Sequence, residues 1–282
     1  MFRVRIALRG FLFLLVLLGT EGAAIRADSP ANPLLHESFR LMYELKFDAA
    51  RVRIGNCRQA DPENPLCVAA EAASYLFEGF YQQGVLTSAF FLDDKRLLGG
   101  VAGDPDPQRD AAFLTTNQRA RRMAELKLAA SPRDAEALLA LTLTDGMRAD
   151  FEALIEKHQI GSLSYIRRAE KEAGVLLQVA PDNGDAYVAL GAANYTIGCL
   201  PGYKRFVLRF GGIQGDRLAG MQQLQIAATR GLYLQPMAKM LLALAAVREH
   251  QPDRARALLA DLTREYPDNP LFAHELWLLQ ER

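Results

Sequence analysis

The side chains best suited to chemistry in this 282-residue sequence are three cysteines and four histidines. Cys199 has no histidine near it in the sequence that could act as a base, so we interpret it as a packed thiol rather than a nucleophile. The histidines show neither the His-x-x-x-His spacing of a helical metal site nor a zinc-like Cys/His cluster; they are His36, His158, His250 and His274. No metal or other cofactor is predicted, although a metal site assembled from residues distant in sequence stays open.

A glycine-rich stretch, FGGIQGDRLAG at 210–220, precedes a predicted helix and could cradle a phosphate. It lacks the Gly-Lys-Ser/Thr ending of a P-loop, and no strand is predicted before it. A tight loop with Asp216 capping the next helix is therefore favoured. Several carboxylates in mid-chain have the helical spacing of ordinary solvated surface: Asp145, Asp150, Glu152 and Glu156. Because no nucleophile and base stand in a recognisable arrangement, the sequence predicts a protein that is not an enzyme.

The composition excludes several classes of protein. Half of the residues are apolar and 23% are charged, which is typical of a globular chain rather than a disordered or collagen-like one. The 33 basic and 33 acidic residues balance, so the electrostatic footprint of a nucleic-acid-binding protein is missing. No nucleic-acid partner is predicted.

The N-terminus has the layout of a secretory signal peptide. Three arginines in the first nine residues precede an unbroken apolar run, FLFLLVLL at 11–18, and small residues follow it. The run is far shorter than the ~20 residues that a membrane-spanning helix needs, and no second hydrophobic span follows. Residues 1–27 are therefore predicted to direct export and to be cleaved after Ala24 or Ala27, which leaves a periplasmic or extracellular protein. The alternative is an uncleaved N-terminal anchor.

Four prolines mark a repeated pattern in the rest of the chain. Twelve residues before each proline lies an alanine, and largely apolar residues follow at spacings of four and three, on one face of a helix. The second residue after each proline is Asn or Asp, a preferred helix N-cap. Each proline therefore marks a tight turn between two helices whose apolar face is buried only by stacking. The prolines are Pro62, Pro132, Pro181 and Pro267; the alanines are Ala50, Ala120, Ala169 and Ala255; the caps are Asn64, Asp134, Asn183 and Asn269.

This pattern resembles the tetratricopeptide repeat (TPR), a helix-turn-helix unit of about 34 residues. The clearest matches are 47–65 and 252–270, and Leu190-Gly191 stands where the family commonly has a Leu-Gly pair. The resemblance implies an all-α, right-handed, TPR-like solenoid of roughly four helix pairs that spans 28–282. It also implies a scaffold, since the fold serves many different partners.

The prolines are not spaced by multiples of the repeat length, and the excess falls in three inserts near 84–110, 148–165 and 198–215. The first and third inserts are unusually apolar for loops in water. We expect the inserts to fold back over the concave face as a cap. The alternative is that they form short additional helices that complete the core.

Cys57 and Cys67 are predicted to form a disulfide bond. In an exported protein, two cysteines ten residues apart favour such a bond. In the repeat register, one lies near the end of a helix and the other in the first turn of the next, so the turn could bring their Cα atoms within the required ~4.4–6.8 Å. The alternative is a pair of buried free thiols in a reducing compartment.

The third insert supplies the candidate binding residues. It interleaves aromatic and cationic side chains that the repeat pattern does not require: Tyr203, Lys204, Arg205, Phe206 and Phe210. Together with the predicted export, this favours a non-catalytic binding or scaffold protein. Its concave groove would bind a protein segment or an apolar small molecule.

Two other functions stay open. The stretch at 200–220, LPGYKRFVLRFGGIQGDRLAG, is similar to the Pro-Gly-rich insert of the periplasmic T-component of TRAP-type transporters, which implies a role in solute transport. The second alternative is a hydrolase whose site lies under the inserts. Titratable side chains converging beneath a cap would favour catalysis, whereas an apolar groove would favour binding.

Overall fold

The computed structural model of the chain describes residues 31–200 and 214–281, together with residues 202, 205, 206 and 209. The predicted signal segment, 1–27, lies outside the described residues. Among the helices that the structure describes, none has both the length and the apolar character needed to cross a membrane.

Throughout its described part, the chain folds into α-helices without strands. In chain order the helices are α1 (Ala31–Tyr43), α2 (Phe47–Ala60), α3 (Pro65–Gln82), α4 (Ser88–Phe91), α5 (Asp94–Gly99), α6 (Pro107–Ala130), α7 (Ala135–Leu154), α8 (Gln159–Val179), α9 (Ala186–Cys199), α10 (Arg217–Arg230), α11 (Gln235–Arg248), α12 (Pro252–Glu265) and α13 (Pro270–Gln280).

The long helices pack as adjacent pairs, namely α1 with α2, α3 with α6, α7 with α8, α9 with α10, and α11 with α12. This arrangement confirms the predicted all-α, TPR-like solenoid. The number of pairs differs from the prediction of roughly four, because the described residues form five pairs followed by the single helix α13. The proline pattern misses one turn, between α10 and α11, which has no proline of the repeated type.

The predicted polar caps begin three helices of the repeated pattern. A side-chain oxygen of each cap accepts a hydrogen bond from a first-turn amide, which satisfies a donor that has no partner within the helix. The bonds are Leu66 N to Asn64 at 2.9 Å, Ala137 N to Asp134 at 2.8 Å and Leu271 N to Asn269 at 2.9 Å. These turns therefore form as the sequence predicts.

The turn before α11 is held by Asp185 rather than by a proline. Asp185 is at the N-cap position of α9, and the predicted cap Asn183, two residues earlier, accepts from the first-turn amide of Ala186 at 3.2 Å. The buried Asp185 carboxylate accepts from the amides of Tyr233 and Leu234 at 3.1 and 2.9 Å. Burial raises the pKa of Asp185, and these amide hydrogen bonds oppose that effect. Asp185, which precedes this turn by nearly fifty positions in the sequence, thus aligns α10 with α11.

The predicted apolar stripe lies in the core. The four alanines at the helix crossings are at most 3% exposed, so the paired helices approach closely. Lys127, the polar exception in the stripe, is half-buried and directs its ammonium to Asp134 at 3.6 Å. Its stem covers apolar surface while its charge reaches a partner, as long cationic side chains commonly do.

The first helices of successive pairs form the inner face of the solenoid. Helices α1, α3, α7, α9 and α11 contact one another in that order. Within the described ranges, the second helices of successive pairs make few or no such contacts. In a curved stack of helix pairs, neighbouring helices lie closer together on the inside of the curve than on the outside. The first helices therefore line the concave surface, and the second helices lie on the convex side.

The N-terminal pair closes the solenoid against its C-terminal turns. The Tyr43 hydroxyl donates to the Tyr233 carbonyl at 3.2 Å, and the Asn269 side chain donates to the Tyr43 carbonyl at 2.7 Å. Lys46 pairs with Asp268 at 2.6 Å. These residues are about 190 to 226 positions apart. The closing contacts are mostly buried, so they fix the shape of the concave surface.

The three inserts have different structures. The first contains the short helices α4 and α5 and the beginning of α6. The second, 148–165, is not a loop: it is the end of α7, a short connection and the beginning of α8, so its excess length lengthens one helix pair. Most of the third insert lies outside the described residues.

Candidate functional site

The first insert lies across the end of the concave face. The Ser88 amide donates to a Glu275 carboxylate oxygen on α13 at 3.2 Å, and Arg248 at the end of α11 donates to the Phe91 carbonyl at 2.7 Å. The Val101 amide donates to the carbonyl of Leu154, the last residue of α7, at 2.9 Å. Helices α7 and α11 line the inner face, so the insert caps that face where these helices end.

Apolar packing and one glycine hold this cap in place. Phe90 is buried, its ring is 5.5 Å from that of Phe91, and Val101 is 1% exposed. Gly100 has φ +73°, and a Cβ there would lie 2.5 Å from the Leu154 carbonyl oxygen. Only glycine combines this backbone conformation with so close an approach. The cap is therefore anchored at several points along its length.

The third insert begins beside a polar cluster at the same end of the solenoid. The Tyr195 hydroxyl lies 3.3 Å from the Ala245 carbonyl oxygen and 3.4 Å from a Glu249 carboxylate oxygen, either of which can accept its proton, and Arg217 pairs with Glu249 at 3.1 Å. Cys199 lies in this cluster as a half-buried free thiol. The end of α11 therefore contacts the first insert through Arg248 and this polar cluster through Glu249.

The thiol of this cluster is not activated. Burial raises the pKa of Cys199, and this effect outweighs the opposing hydrogen bond from Tyr195 and the charges of Arg248 and Arg217. The thiolate is the nucleophilic form of cysteine, so a raised pKa makes Cys199 a poor nucleophile at neutral pH. This agrees with its interpretation as a packed thiol.

Two of the five predicted binding residues are described. Arg205 is exposed and donates to the Gly198 carbonyl at 3.3 Å, and Phe206 is 63% exposed. Tyr203, Lys204 and Phe210 lie outside the described residues. The exposed Phe206 is thus close in sequence to the point where the insert leaves α9, near the capped end.

Asp150 is a carboxylate on the concave face that the sequence pattern did not distinguish from solvated surface. It lies on the side of α7 that neighbouring helices leave least covered, one turn beyond Gly146. Its side chain reaches solvent and has no hydrogen-bond or ion-pair partner among the described residues, yet desolvation by the surrounding protein raises its pKa to about 7. This desolvation favours the neutral form of the carboxyl group.

A second group of titratable residues lies between α6, α7 and α8, away from the inserts. Asp145 is 1% exposed and accepts hydrogen bonds from Arg121 and Arg168. Glu172 lies beside it, and its buried Oε2 faces no donor among the described residues. Burial first, and then the neighbouring Asp145 carboxylate, raise the pKa of Glu172 to about 8. The raised pKa favours the protonated form of Glu172, which can donate a hydrogen bond to Asp145.

We expect Glu172→Gln to stabilise the protein in weakly alkaline solution. When a carboxyl group has a higher pKa in the folded state than in the unfolded state, the folded protein loses stability as pH rises between the two values. Here this range runs from about 4.5, the ordinary pKa of glutamate, to about 8. The neutral amide keeps a donor for Asp145 and removes this penalty, by roughly 2 kcal/mol at pH 8. Denaturant unfolding at pH 5 and pH 8 measures the change.

Glu125→Gln is the matched control for this substitution. Glu125 is 51% exposed and pairs with Arg121 at 2.9 Å, so its removal is expected to change stability by less than about 1 kcal/mol at either pH. A Glu172→Gln variant whose stability falls as steeply with pH as that of the unmodified protein would contradict the assignment.

Two surface depressions lie away from the capped end. One, of about 390 Å³, is lined by Gly55, Arg58, Gln59, Pro62 and Arg119. The other, of about 450 Å³, lies along the beginning of α2 and the end of α3, from Leu45 to Gln82. Neither includes a residue of the two inserts. They therefore give no support to an apolar small molecule held beneath the cap.

Comparisons with known proteins add little beyond the fold. No protein-family model matches the chain, and no curated protein sequence matches it either. Among solved structures, it is similar to a thermophilic TPR protein of Thermus thermophilus, with a TM-score of 0.46 and 13% identity. The match covers 89% of this chain and 100% of that one. The TPR-like assignment accordingly rests on this chain's own paired helices.

Proposed function

We propose that this protein is an exported, non-catalytic scaffold whose capped concave face binds a segment of a protein partner. The observation that carries the proposal is the continuous inner face of first helices, closed by the N-terminal pair and capped at one end by the first insert. Stacked helix pairs build extended concave surfaces of the size that a peptide segment covers. Buried closing contacts support a surface that is formed before the partner arrives.

The proposed partner segment carries a basic residue opposite Asp150. This carboxylate is exposed on the concave face and, within the described part of the chain, has no cation paired with it. A lysine or arginine of the partner would supply the missing charge and would favour the ionised carboxylate. In this proposal the third insert borders the same surface, with Phe206 as an apolar contact and Arg205 at its polar edge.

A scaffold accounts for the titratable groups better than a hydrolase does. The Asp145–Glu172 pair is held by Arg121 and Arg168 between helices, away from the cap. At the capped end, the raised pKa of Cys199 opposes nucleophilic catalysis. Export is supported by the signal-like N-terminus and by the Cys57–Cys67 pair, which suits an oxidising compartment.

Photo-crosslinking from matched positions tests this proposal. Gly146 on α7 and Gly174 on α8 both have open space where a Cβ would lie, so a benzoylphenylalanine side chain can leave the backbone at either position. The first position is on the inner helix of the pair and the second on its outer helix. We expect irradiation of the exported protein to give protein adducts from position 146 and few from position 174.

Two substitutions then test the assigned contacts. In the position-146 background, Asp150→Asn and Phe206→Ala are each expected to lower the adduct yield severalfold without lowering the unfolding temperature. Asp150→Asn is expected to raise it, because the amide removes a carboxyl group with a raised pKa. Equal adduct yields from positions 146 and 174, or adducts from 174 alone, would refute binding on the concave face.

A further inference from the structure

The end of α7 brings together three side chains whose donor atoms suit a transition-metal ion. The carboxylates of Glu152 and Glu156 and the imidazole of His158 each offer an atom within 4.8 Å of the others. His158 Nδ1 lies 3.5 Å from a Glu152 oxygen and 4.0 Å from a Glu156 oxygen. Ligands about 2.1 Å from a tetrahedral metal ion are separated by about 3.4 Å, so only small movements are needed.

The backbone explains why the sequence spacing did not indicate this cluster. Lys157 has φ +58°, and the His158 amide donates to the Glu152 carbonyl at 2.7 Å. This reversal ends α7 and turns the histidine back towards the last turn of the same helix. A Glu-x-x-x-Glu-x-His sequence on a continuous helix would instead point the imidazole away.

Glu152 is arranged as a ligand would be. The residue is 9% exposed, and Arg148 binds its Oε1 at 2.6 Å, which leaves Oε2 directed towards the imidazole. A Cβ at position 161 would lie 3.2 Å from this Oε2, so Gly161 keeps the space beside the oxygen open. One oxygen of Glu152 is thus held by Arg148 while the other faces His158.

Arg148 has the position of an outer partner that orients the carboxylates. It also reaches Glu156 at 3.2 Å, and its guanidinium lies over the rings of Phe151 and Tyr165 at 5.3 and 5.5 Å. Hydrogen bonds from such outer partners commonly fix the ligands of metal sites. The arginine neutralises one of the two carboxylate charges, which leaves a site that attracts a cation.

We propose that Glu152, Glu156 and His158 form a binding site for a divalent first-row transition metal of the Zn²⁺ or Co²⁺ type. The imidazole selects against Ca²⁺ and Mg²⁺, which prefer oxygen ligands alone. With three protein ligands on a partly exposed turn, water completes the coordination. The site is separate from the concave face and does not depend on the function proposed for it.

Titration with Co²⁺ tests the site directly. The full chain, freed of any affinity tag and treated with a chelator, is titrated with Co²⁺ while the visible absorption of the bound ion is followed. We expect one equivalent of Co²⁺ to bind and Zn²⁺ to displace it.

Three variants and a control decide whether these residues hold the ion. His158→Ala and Glu156→Gln are each expected to weaken binding at least about tenfold. Gly161→Ala is expected to weaken it severalfold, because the new Cβ crowds Glu152. His250→Ala is the control, since His250 is also exposed but lies outside the cluster.

Two results would overturn the proposal. One is the absence of saturable Co²⁺ binding in a correctly folded protein. The other is binding that His158→Ala and Glu156→Gln leave unchanged. Either result would identify the cluster as an ion-pair network neutralised by Arg148. Circular dichroism of each variant confirms that a loss of binding is not a loss of fold.

Discussion

Gly220→Ala is expected to destabilise the protein by about 3 kcal/mol, at the upper end of the usual cost of overpacking. Gly220 is on α10, where this helix crosses α9. An added Cβ would lie 2.5 Å from the Tyr195 amide nitrogen and 2.9 Å from the Gly191 carbonyl oxygen. Both obstacles are backbone atoms of a buried helix, so a change of side-chain rotamer cannot relieve the contact. Chemical denaturation followed by circular dichroism measures the loss.

Gly174→Ala is the matched control and is expected to change stability in the opposite direction. Gly174 is within α8, and an added Cβ would meet no atom within 4 Å. Alanine is favoured over glycine in a helix by about 1 kcal/mol, so this variant is expected to be slightly more stable. If Gly220→Ala were as stable as Gly174→Ala, the close crossing of α9 and α10 would be wrong.

The sequence predicted one side of this crossing and missed the other. Gly191 was identified through the Leu190-Gly191 pair of the TPR resemblance, and a Cβ there would lie 2.8 to 3.0 Å from atoms of Leu224 and Gly220. Gly220 follows a glycine-rich loop, where one more glycine carries no distinct signal. Its importance depends on which helix packs against it, and that is a property of the tertiary structure.

Features that depend on residues close together in the sequence were predictable, whereas contacts between residues far apart in the sequence were not. The Asn64 cap and the buried Ala50 follow from the chemistry of one turn and one helix face. The pairing of Asp185 with the amides of Tyr233 and Leu234 joins residues nearly fifty positions apart, and the contact of Tyr43 with Tyr233 spans 190 positions. No spacing rule links such residues, so neither the fifth helix pair nor the closure was predicted.

The candidate sites likewise combine features that the sequence shows with features that only the packing reveals. The inserts were found because they interrupt a repeat. The first insert meets both expectations, since it contacts the ends of inner helices and its short helices and turns place Val85, Phe90 and Val101 in the main core. Asp150 and Glu152 have the sequence spacing of solvated carboxylates, and only the packing around them separates their environments from ordinary surface. Titratable residues on a regular helix therefore need a structure before a role can be assigned to them.

Replacing both Cys57 and Cys67 by alanine is expected to lower the free energy of unfolding by about 3 kcal/mol. The two sulfur atoms lie at bonding distance, the Cα atoms are 5.9 Å apart, and both residues are fully buried. In the chain-entropy account, closing a loop of about ten residues stabilises the folded state by nearly this amount. Denaturant unfolding under oxidising conditions measures the loss.

The position of the disulfide extends its effect beyond the turn that it spans. It joins the last turn of α2 to the first turn of α3, and so holds the N-terminal pair against the next pair. Because Tyr43 of that pair also closes the solenoid, we expect the double variant to exchange amide hydrogens faster around Tyr233 and Asn269 as well. Hydrogen exchange resolved by peptide distinguishes this from loosening confined to residues 57–67.

Two controls show whether the disulfide bond itself provides this stability: added reductant and the Cys199→Ala variant. Reductant should destabilise the unmodified protein and Cys199→Ala alike, because Cys199 is a free thiol, and should leave the double alanine variant unchanged. Equal stability of the double variant and the oxidised protein would show that the bond does not form in solution. A bond that contributes this much stability suits a protein that works outside the reducing cytosol, so the result also bears on the proposed export.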